Sequence, residues 1–322
     1  MTKKTILVTG SAGFIGFHVT KKLLETGNKV IGIDSLNNYY EPKLKKDRNK
    51  ILLESKNYKF YKLNLKNEKE LKKIFTENKI DKICHLAAQA GVRYSLENPL
   101  SYEESNLKGF INIMECARHF KIKDFVYASS SSVYGKNKMD KNGFKESEEV
   151  NQPISLYAAT KKANELIAYN YHHLFGINCT GLRFFTVYGP YGRPDMAIYI
   201  FTKNILAGKS IDVYNNGKMF RDFTYVGDIV DGIIKSLEKS YPYEIFNLGD
   251  SDTIELKYLI TNIEQNLKQK AKINFKPIQP GDVEKTFANI SKAKKMLGFN
   301  PKTKIEEGVK NFIEWYKDYY KI

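Results

Sequence analysis

Tyr157 and Lys161 stand four residues apart in Tyr157-Ala158-Ala159-Thr160-Lys161, about 25 residues beyond the serine run Ser129-Ser130-Ser131-Ser132. On a helix that separation places a phenol and an ammonium on one face. A free tyrosine loses its proton near pH 10, and a positive neighbour draws that value toward neutrality, so the pair can supply a phenolate base. A serine hydroxyl from another element would hold a substrate oxygen against it. With 22 tyrosines in the chain such a spacing also arises by chance. Its meaning depends on the elements that position it.

Upstream, Ile6-Leu7-Val8-Thr9 is a short apolar run of the kind that forms a buried parallel strand, and it leads directly into Gly10-Ser11-Ala12-Gly13-Phe14-Ile15-Gly16. Apolar residues then recur at helical spacing from His18 to Leu24. Gly27 supplies a stop, and Val30-Ile31-Gly32-Ile33-Asp34 reads as a second strand ending in a carboxylate. A strand, turn, helix and strand in that order form a dinucleotide-binding unit. Glycines 10, 13 and 16 let the backbone approach a pyrophosphate, and the helix start around Phe14 and Ile15 offers free N–H groups and a positive dipole. Asp34 can accept hydrogen bonds from the adenosine ribose and repels a 2′-phosphate, which selects NAD over NADP. The G-x-x-G-x-x-G spacing is one residue longer than G-x-G-x-x-G, a variant with a roomier turn.

The 322 residues, 42% of them hydrophobic, suffice for one large α/β domain and a smaller one. No stretch approaches a membrane span, and the apolar N-terminal run is too short and too broken by glycine for a signal peptide. Cys84, Cys116 and Cys179 are far apart and odd in number, which suggests neither disulfides nor a zinc site and fits a cytoplasmic enzyme. His172 and His173 point apart on a helix, so no metal is expected. The net charge of +16 raises nucleic acid as a partner, yet only six of the 52 basic residues are arginine and the lysines are scattered. Nucleic-acid binding is therefore not expected. A planar guanidinium suits phosphate and carboxylate, and Arg93, Arg183, Arg193 and Arg221 fall in segments that look functional for other reasons.

Strand and helix alternate onward. A polar, lysine-rich segment to about Asn57 is followed by a strand at 59–65, a helix at 68–78 and the strand Lys82-Ile83-Cys84-His85-Leu86-Ala87-Ala88. Ala87 and Ala88 would let a flat ring or a ribose lie against the backbone. A helix at 101–120 leads to Phe125-Val126-Tyr127-Ala128 and the serines, the helix bearing Tyr157 and Lys161 runs to about Leu174, and a sixth strand spans 177–185. Ligands in such sheets sit beyond the strand carboxyl ends, where Gly10, Asp34, Ala88, Arg93 and Ser130 all fall. The expectation is an α/β fold: a Rossmann-type doubly wound parallel sheet over 1–186, with a returning strand and helix near 223–237, and a smaller, mainly substrate-binding α/β domain at 187–322.

With these pieces in place the chain resembles the extended short-chain dehydrogenases/reductases, the nucleotide-sugar epimerases and dehydratases, over nearly its whole length. It is most similar to the UDP-glucuronate 4-epimerases, on Asp34-Ser35-Leu36-Asn37-Asn38-Tyr39-Tyr40, on His85 to Ser95 (HLAAQAGVRYS) and on Leu182 to Met196 (LRFFTVYGPYGRPDM). Arg221-Asp222-Phe223-Thr224-Tyr225-Val226 and Pro280-Gly281-Asp282-Val283 resemble that family's nucleotide-diphosphate segments. The resemblance implies Ser130 as catalytic hydroxyl, Tyr157 as base and Lys161 as the partner that sets its pKa. It implies NAD held by the glycine turn, Asp34, Asn64, Leu65, Ala87, Ala88, Tyr157 and Lys161, and a UDP-sugar anchored by Arg93, Arg193, Arg221 and Asp282. The tyrosine would take the 4-hydroxyl proton while C4 gives up hydride. The 4-keto sugar then turns over, hydride returns to its other face, and NAD is regenerated. Asn64 and Asn289 stand where the family usually shows aspartate; the first can still accept from an adenine amino group, and the second can still cap a helix at 291–297.

A 4-keto glucuronate is a β-keto acid that can lose carbon dioxide. In the related 4,6-dehydratases and decarboxylating enzymes, acidic residues stand just after the catalytic hydroxyl, where this chain has Ser131 and Ser132. Neutral hydroxyls can hydrogen-bond a carboxylate that an acid would repel. These two serines and Thr186 are thus the expected carboxylate partners, with Arg193 on the carboxylate or diphosphate side, and the expected outcome is epimerisation without elimination or decarboxylation. A 4-epimerase of neutral UDP-hexoses would use the same catalytic three. A non-catalytic NAD- or RNA-binding relative would have no need of Ser130, Tyr157 and Lys161 together. The resemblance also implies a homodimer through the helices at 101–120 and 156–174.

Overall fold

The computed structural model describes residues 3–278 and 284–322. Strands β1 (Thr5–Thr9), β2 (Lys29–Asp34), β3 (Tyr58–Lys62), β4 (Lys82–His85), β5 (Asp124–Ser130) and β6 (Asn178–Phe184) stand in the order β3-β2-β1-β4-β5-β6, and Tyr243–Leu248 adds a seventh strand beside β6. All pairings are parallel. The order reverses between β1 and β4, which opens a crevice at the strand carboxyl ends. Side chains alternate along β1: Ile6 and Val8 enter the layer containing Phe17 and Ile233, and Leu7 enters the opposite layer with Phe110 and Ile113.

The flanking helices are α1 (Phe14–Glu25), α2 (Pro42–Leu52), α3 (Glu68–Glu77), the short α4 (Tyr94–Glu97) and α5 (Pro99–Tyr102), α6 (Gly109–His119) and α7 (Leu156–Phe175). Ser155 caps α7 by accepting from the Ala158 amide at 3.1 Å, and Gly176 ends it in the left-handed conformation. No helix among the described residues is long and apolar enough to cross a membrane.

Three features differ from the sequence reading. The lysine-rich segment contains α2, whose buried face is Leu44, Lys45, Arg48, Asn49 and Leu52. The expected helix at 101–120 is interrupted by a π-helical stretch at Glu103–Lys108. The strand that returns to the sheet is Tyr243–Leu248. Phe223–Tyr225, the strand of the expected return at 223–237, instead pairs with β7 (Thr186–Tyr188) in a separate two-stranded sheet, although the helix Val226–Glu238 does pack against α1.

Candidate active site

Beyond β1 the chain turns through Gly10 with φ +71°. A Cβ there would lie 2.9 Å from the Ala87 nitrogen; on Gly13 or Gly16 it would lie 2.9 or 2.0 Å from the Gly10 carbonyl oxygen. Only glycine permits these approaches. The turn faces one cleft whose walls hold Gly10, Gly13, Phe14, Ile15, Gly16, Asp34, Asn64, Leu65, Ala87, Ala88, Ser130, Tyr157 and Lys161. Asp34 accepts from the Ala12 amide at 3.2 Å and the Leu36 amide at 2.8 Å. Burial pushes its carboxyl pKa up, against these bonds and the charges of Lys45 and Arg48. Asn64 accepts from the Lys66 amide at 3.0 Å, and the Leu65 carbonyl accepts from Asn112 at 2.8 Å, so the ends of β3 and α6 are joined beside the cleft.

β5 delivers Ser130, whose Oγ accepts from the Ser132 amide at 3.2 Å and lies 3.1 Å from the Ser132 hydroxyl. That bond starts a single 3₁₀ turn, Ser131–Tyr134. On α7, Tyr157 and Lys161 lie along one stripe, with the lysine Nζ 6.0 Å from the tyrosine ring centroid. Lys161 is buried and donates to the Ala128 carbonyl at 2.8 Å. Burial lowers its pKa to about 8. Burial also raises that of Tyr157, and the groups that oppose this are the Ser130 hydroxyl and the Arg193 charge. The sequence reading gave Lys161 the task of lowering the phenol. In the structure its ammonium donates to a backbone carbonyl while lying 6.0 Å from the tyrosine ring centroid, and the Ser130 hydroxyl and the Arg193 charge oppose the effect of burial on the phenol.

A second cleft is lined by Arg93, Ser131, Ser132, Thr186 and Arg221, and Ser130, Tyr157 and Arg193 line both clefts. Arg193 forks onto Asp195 at 3.0 and 2.5 Å, and the Tyr39 hydroxyl donates to the same carboxylate at 2.9 Å. The Arg93 guanidinium stacks 4.7 Å over the Tyr214 ring. Arg221 donates at 3.0 Å to the carbonyls of Phe220 and Glu284. Asp282, with Pro280, Gly281 and Val283, lies outside the described residues. Asn289 accepts from the Ser291 amide at 3.1 Å in the turn before the helix Ser291–Leu297, but Ile290 holds the N-cap position and no side chain caps that helix, so the expected cap is not formed.

Arg183 requires correction. It is 2% exposed and bound at 2.8 and 2.9 Å to Glu165, itself 1% exposed, which also accepts from the Ser129 hydroxyl at 2.7 Å. This arginine therefore ties α7 to the ends of β5 and β6, in the core rather than in the clefts. Glu165 continues the i, i+4 stripe of Tyr157 and Lys161, and that repeat was the available signal for it. Tyr39, Asp195 and the buried Arg48 also went unread; Asp195 pairs with Arg193 two residues away, whereas Tyr39 and Arg48 reach partners in distant segments, which no local pattern announces.

The fold and the paired clefts define the class, an extended short-chain dehydrogenase/reductase with serine, tyrosine and lysine at the carboxyl edge of its sheet. A family model described as GDP-mannose 4,6 dehydratase matches residues 7–312, and the chain belongs to that family. An uncharacterised protein of Methanocaldococcus jannaschii is 57% identical over 318 residues, 98% of this chain and 97% of its own length. UDP-glucuronate 4-epimerase 1 of Arabidopsis thaliana is 47% identical over 334 residues, 98% of this chain and 77% of its own. The crystal structure of UDP-glucuronic acid 4-epimerase from Bacillus cereus in complex with UDP-glucuronic acid and NAD matches with a TM-score of 0.92 at 32% identity, covering 98% of this chain and 100% of that one.

Proposed function

We propose that the protein is an NAD-dependent isomerase that converts UDP-glucuronate to UDP-galacturonate through a 4-keto sugar. The observation that carries this reading is that Ser130, Tyr157 and Arg193 line both clefts, so a sugar in one can react with a ring in the other. The glycine turn, too close to Ala87 and Gly10 for any Cβ, fits a pyrophosphate. Asp34, Asn64, Leu65, Ala87 and Ala88 would line the rest of the cofactor's path. Bound there, NAD supplies an acceptor and then a donor for the C4 hydride. Tyr157 takes the 4-hydroxyl proton and later returns it to the ketone oxygen, while Ser130 holds that oxygen in place. The Ser130 hydroxyl and Arg193 favour the phenolate against burial, and the Lys161 ammonium, 6.0 Å from the ring centroid, would add its charge. Ser131, Ser132 and Thr186 offer neutral hydroxyls to the C6 carboxylate. Arg93, Arg221 and Asp282 anchor the nucleotide diphosphate.

The 47% identity to a plant UDP-glucuronate 4-epimerase supports the substrate, as does the likeness to a structure that holds UDP-glucuronic acid and NAD. Residues 1–186 would form the cofactor domain, completed by the returning strand. Most of 187–322 would form the substrate domain, in keeping with a third core built largely from 188–316. The protein would act as a homodimer through the helices at 101–120 and 156–174, which expose the apolar side chains of Ile111, Leu166 and Leu174. Three buried, unbridged cysteines are in keeping with a cytoplasmic location. Incubation with UDP-glucuronate, UDP-glucose and UDP-N-acetylglucosamine separately, with the products resolved, tests the reading. UDP-galacturonate from the first is expected. Turnover of a neutral sugar alone would overturn the substrate, and RNA binding without any turnover would overturn the class.

A further inference from the structure

Arg48 is fully buried on α2. Its Nη1 donates to the Ala12 carbonyl at 3.1 Å and the Tyr40 hydroxyl at 2.7 Å, and its Nη2 to the carbonyls of Tyr191 at 2.6 Å and Gly192 at 3.4 Å. All four acceptors are neutral, and its Nε is buried without a hydrogen-bond partner. A buried cation whose hydrogen bonds all go to neutral acceptors is costly, and an apolar side chain of similar volume would fill the space at less cost. What an apolar chain could not do is join two turns. Ala12 belongs to the glycine turn of the cofactor cleft; Tyr191 and Gly192 immediately precede Arg193.

The second turn is strained. Tyr191 has φ +57° and Gly189 φ +141°. Besides Arg48, contacts from two residues of α1 fasten it to the cofactor half: His18 Nε2 lies 2.8 Å from the Pro190 carbonyl with its ring edge-on to Tyr191, and the Phe17 ring packs 4.8 Å from that of Tyr191. Arg48 alone among these three reaches the glycine turn, through Ala12.

We propose that Arg48 is a positioning residue that fixes the turn carrying Arg193 against the cofactor turn, and so places the guanidinium that lines both clefts with Tyr157. The inference rests on the reading of the two clefts given above. It is tested with the NAD-loaded protein by comparing Arg48→Met, Arg193→Ala and the double variant. Arg48→Met should lower kcat on UDP-glucuronate about tenfold, with the affinity for UDP kept within about threefold. In the Arg193→Ala background the same substitution should cost less than about twofold, because no guanidinium is left to misplace. Tyr40→Phe, which removes one acceptor without opening a cavity, should show a smaller loss of the same pattern, and it decides the matter if Arg48→Met does not fold. Equal losses in both backgrounds, or an unchanged kcat in Arg48→Met and Tyr40→Phe, would overturn the proposal. Equilibrium binding of NAD gives a readout independent of turnover: affinity should fall alike in Arg48→Met and the double variant, since Ala12 is released in both, and an unchanged affinity would refute the link to the cofactor turn. If the unsubstituted protein turns over no UDP-glucuronate, the proposed function fails, and the NAD arm still decides this inference.

Discussion

Substituting Arg183 by methionine tests how α7 is held against the strand ends. The pair Arg183–Glu165 is almost wholly buried and joined by two charge-assisted bonds of 2.8 and 2.9 Å. Burial works against the arginine's charge, and Glu165 outweighs it, holding the guanidinium pKa above its ordinary value. Removing one partner of such a pair costs about 3–5 kcal/mol, because the other is left charged in the core. Here Glu165 keeps the Ser129 hydroxyl at 2.7 Å and Lys162 at 3.8 Å, which places the expected loss at the lower end, about 3 kcal/mol. Replacing both residues by methionine removes both charges and should cost about 1 kcal/mol or less, a coupling of at least about 2 kcal/mol. Urea unfolding of the four proteins, with slopes compared to confirm a common transition, measures this. A loss below about 1 kcal/mol in Arg183→Met, or a double variant as unstable as the sum of the singles, would refute the argument.

Gly16→Ala should abolish NAD binding while the far-ultraviolet circular dichroism is kept, since its Cβ would lie 2.0 Å from the Gly10 carbonyl oxygen and must displace the turn; isothermal titration checks it. Tyr157→Phe should lower epimerisation by about 10²–10⁴-fold with NAD affinity unchanged, as loss of the acid–base group requires. Lys161, with its pKa lowered to about 8, loses its proton as the pH rises through that value, so kcat/KM should fall above about pH 8, and Lys161→Met should remove that limb of the profile. The sign for stability is opposite. From about pH 8 to the ordinary 10.5 the unfolded chain holds the proton that the folded one has lost, so stability rises with pH across that window, and Lys161→Met should flatten this rise.

The cofactor half could be read because its signals are local. β1 is an unbroken apolar run, the glycines are spaced for one turn, and Asp34 ends β2. α2 obeys the same helical period, yet its buried positions include Lys45, Arg48 and Asn49, so a polar composition hid a core face. Arg183 and Arg193 both stand in one strand-and-loop motif, and it was the resemblance, not their types or spacing, that gave Arg193 a substrate role. Only the fold brings Glu165 against one, and Tyr39 and Tyr157 around the other, which Asp195 already flanks in the sequence. The phenol's environment went the same way: the i, i+4 spacing put Lys161 beside Tyr157, but the carbonyl of Ala128 at the end of β5 decides where the ammonium points. The place of Tyr243–Leu248 at the sheet edge likewise depends on pairing with β6 rather than on its own residues.

The account's central claim is that hydride leaves C4 and returns to the same carbon within one closed site. UDP-glucuronate deuterated at C4, turned over in ordinary water and examined by NMR, tests it most directly. UDP-galacturonate that keeps its deuterium at C4, with no carbon dioxide released, is the predicted result; a product carrying protium at C4, or a pentose, would contradict it.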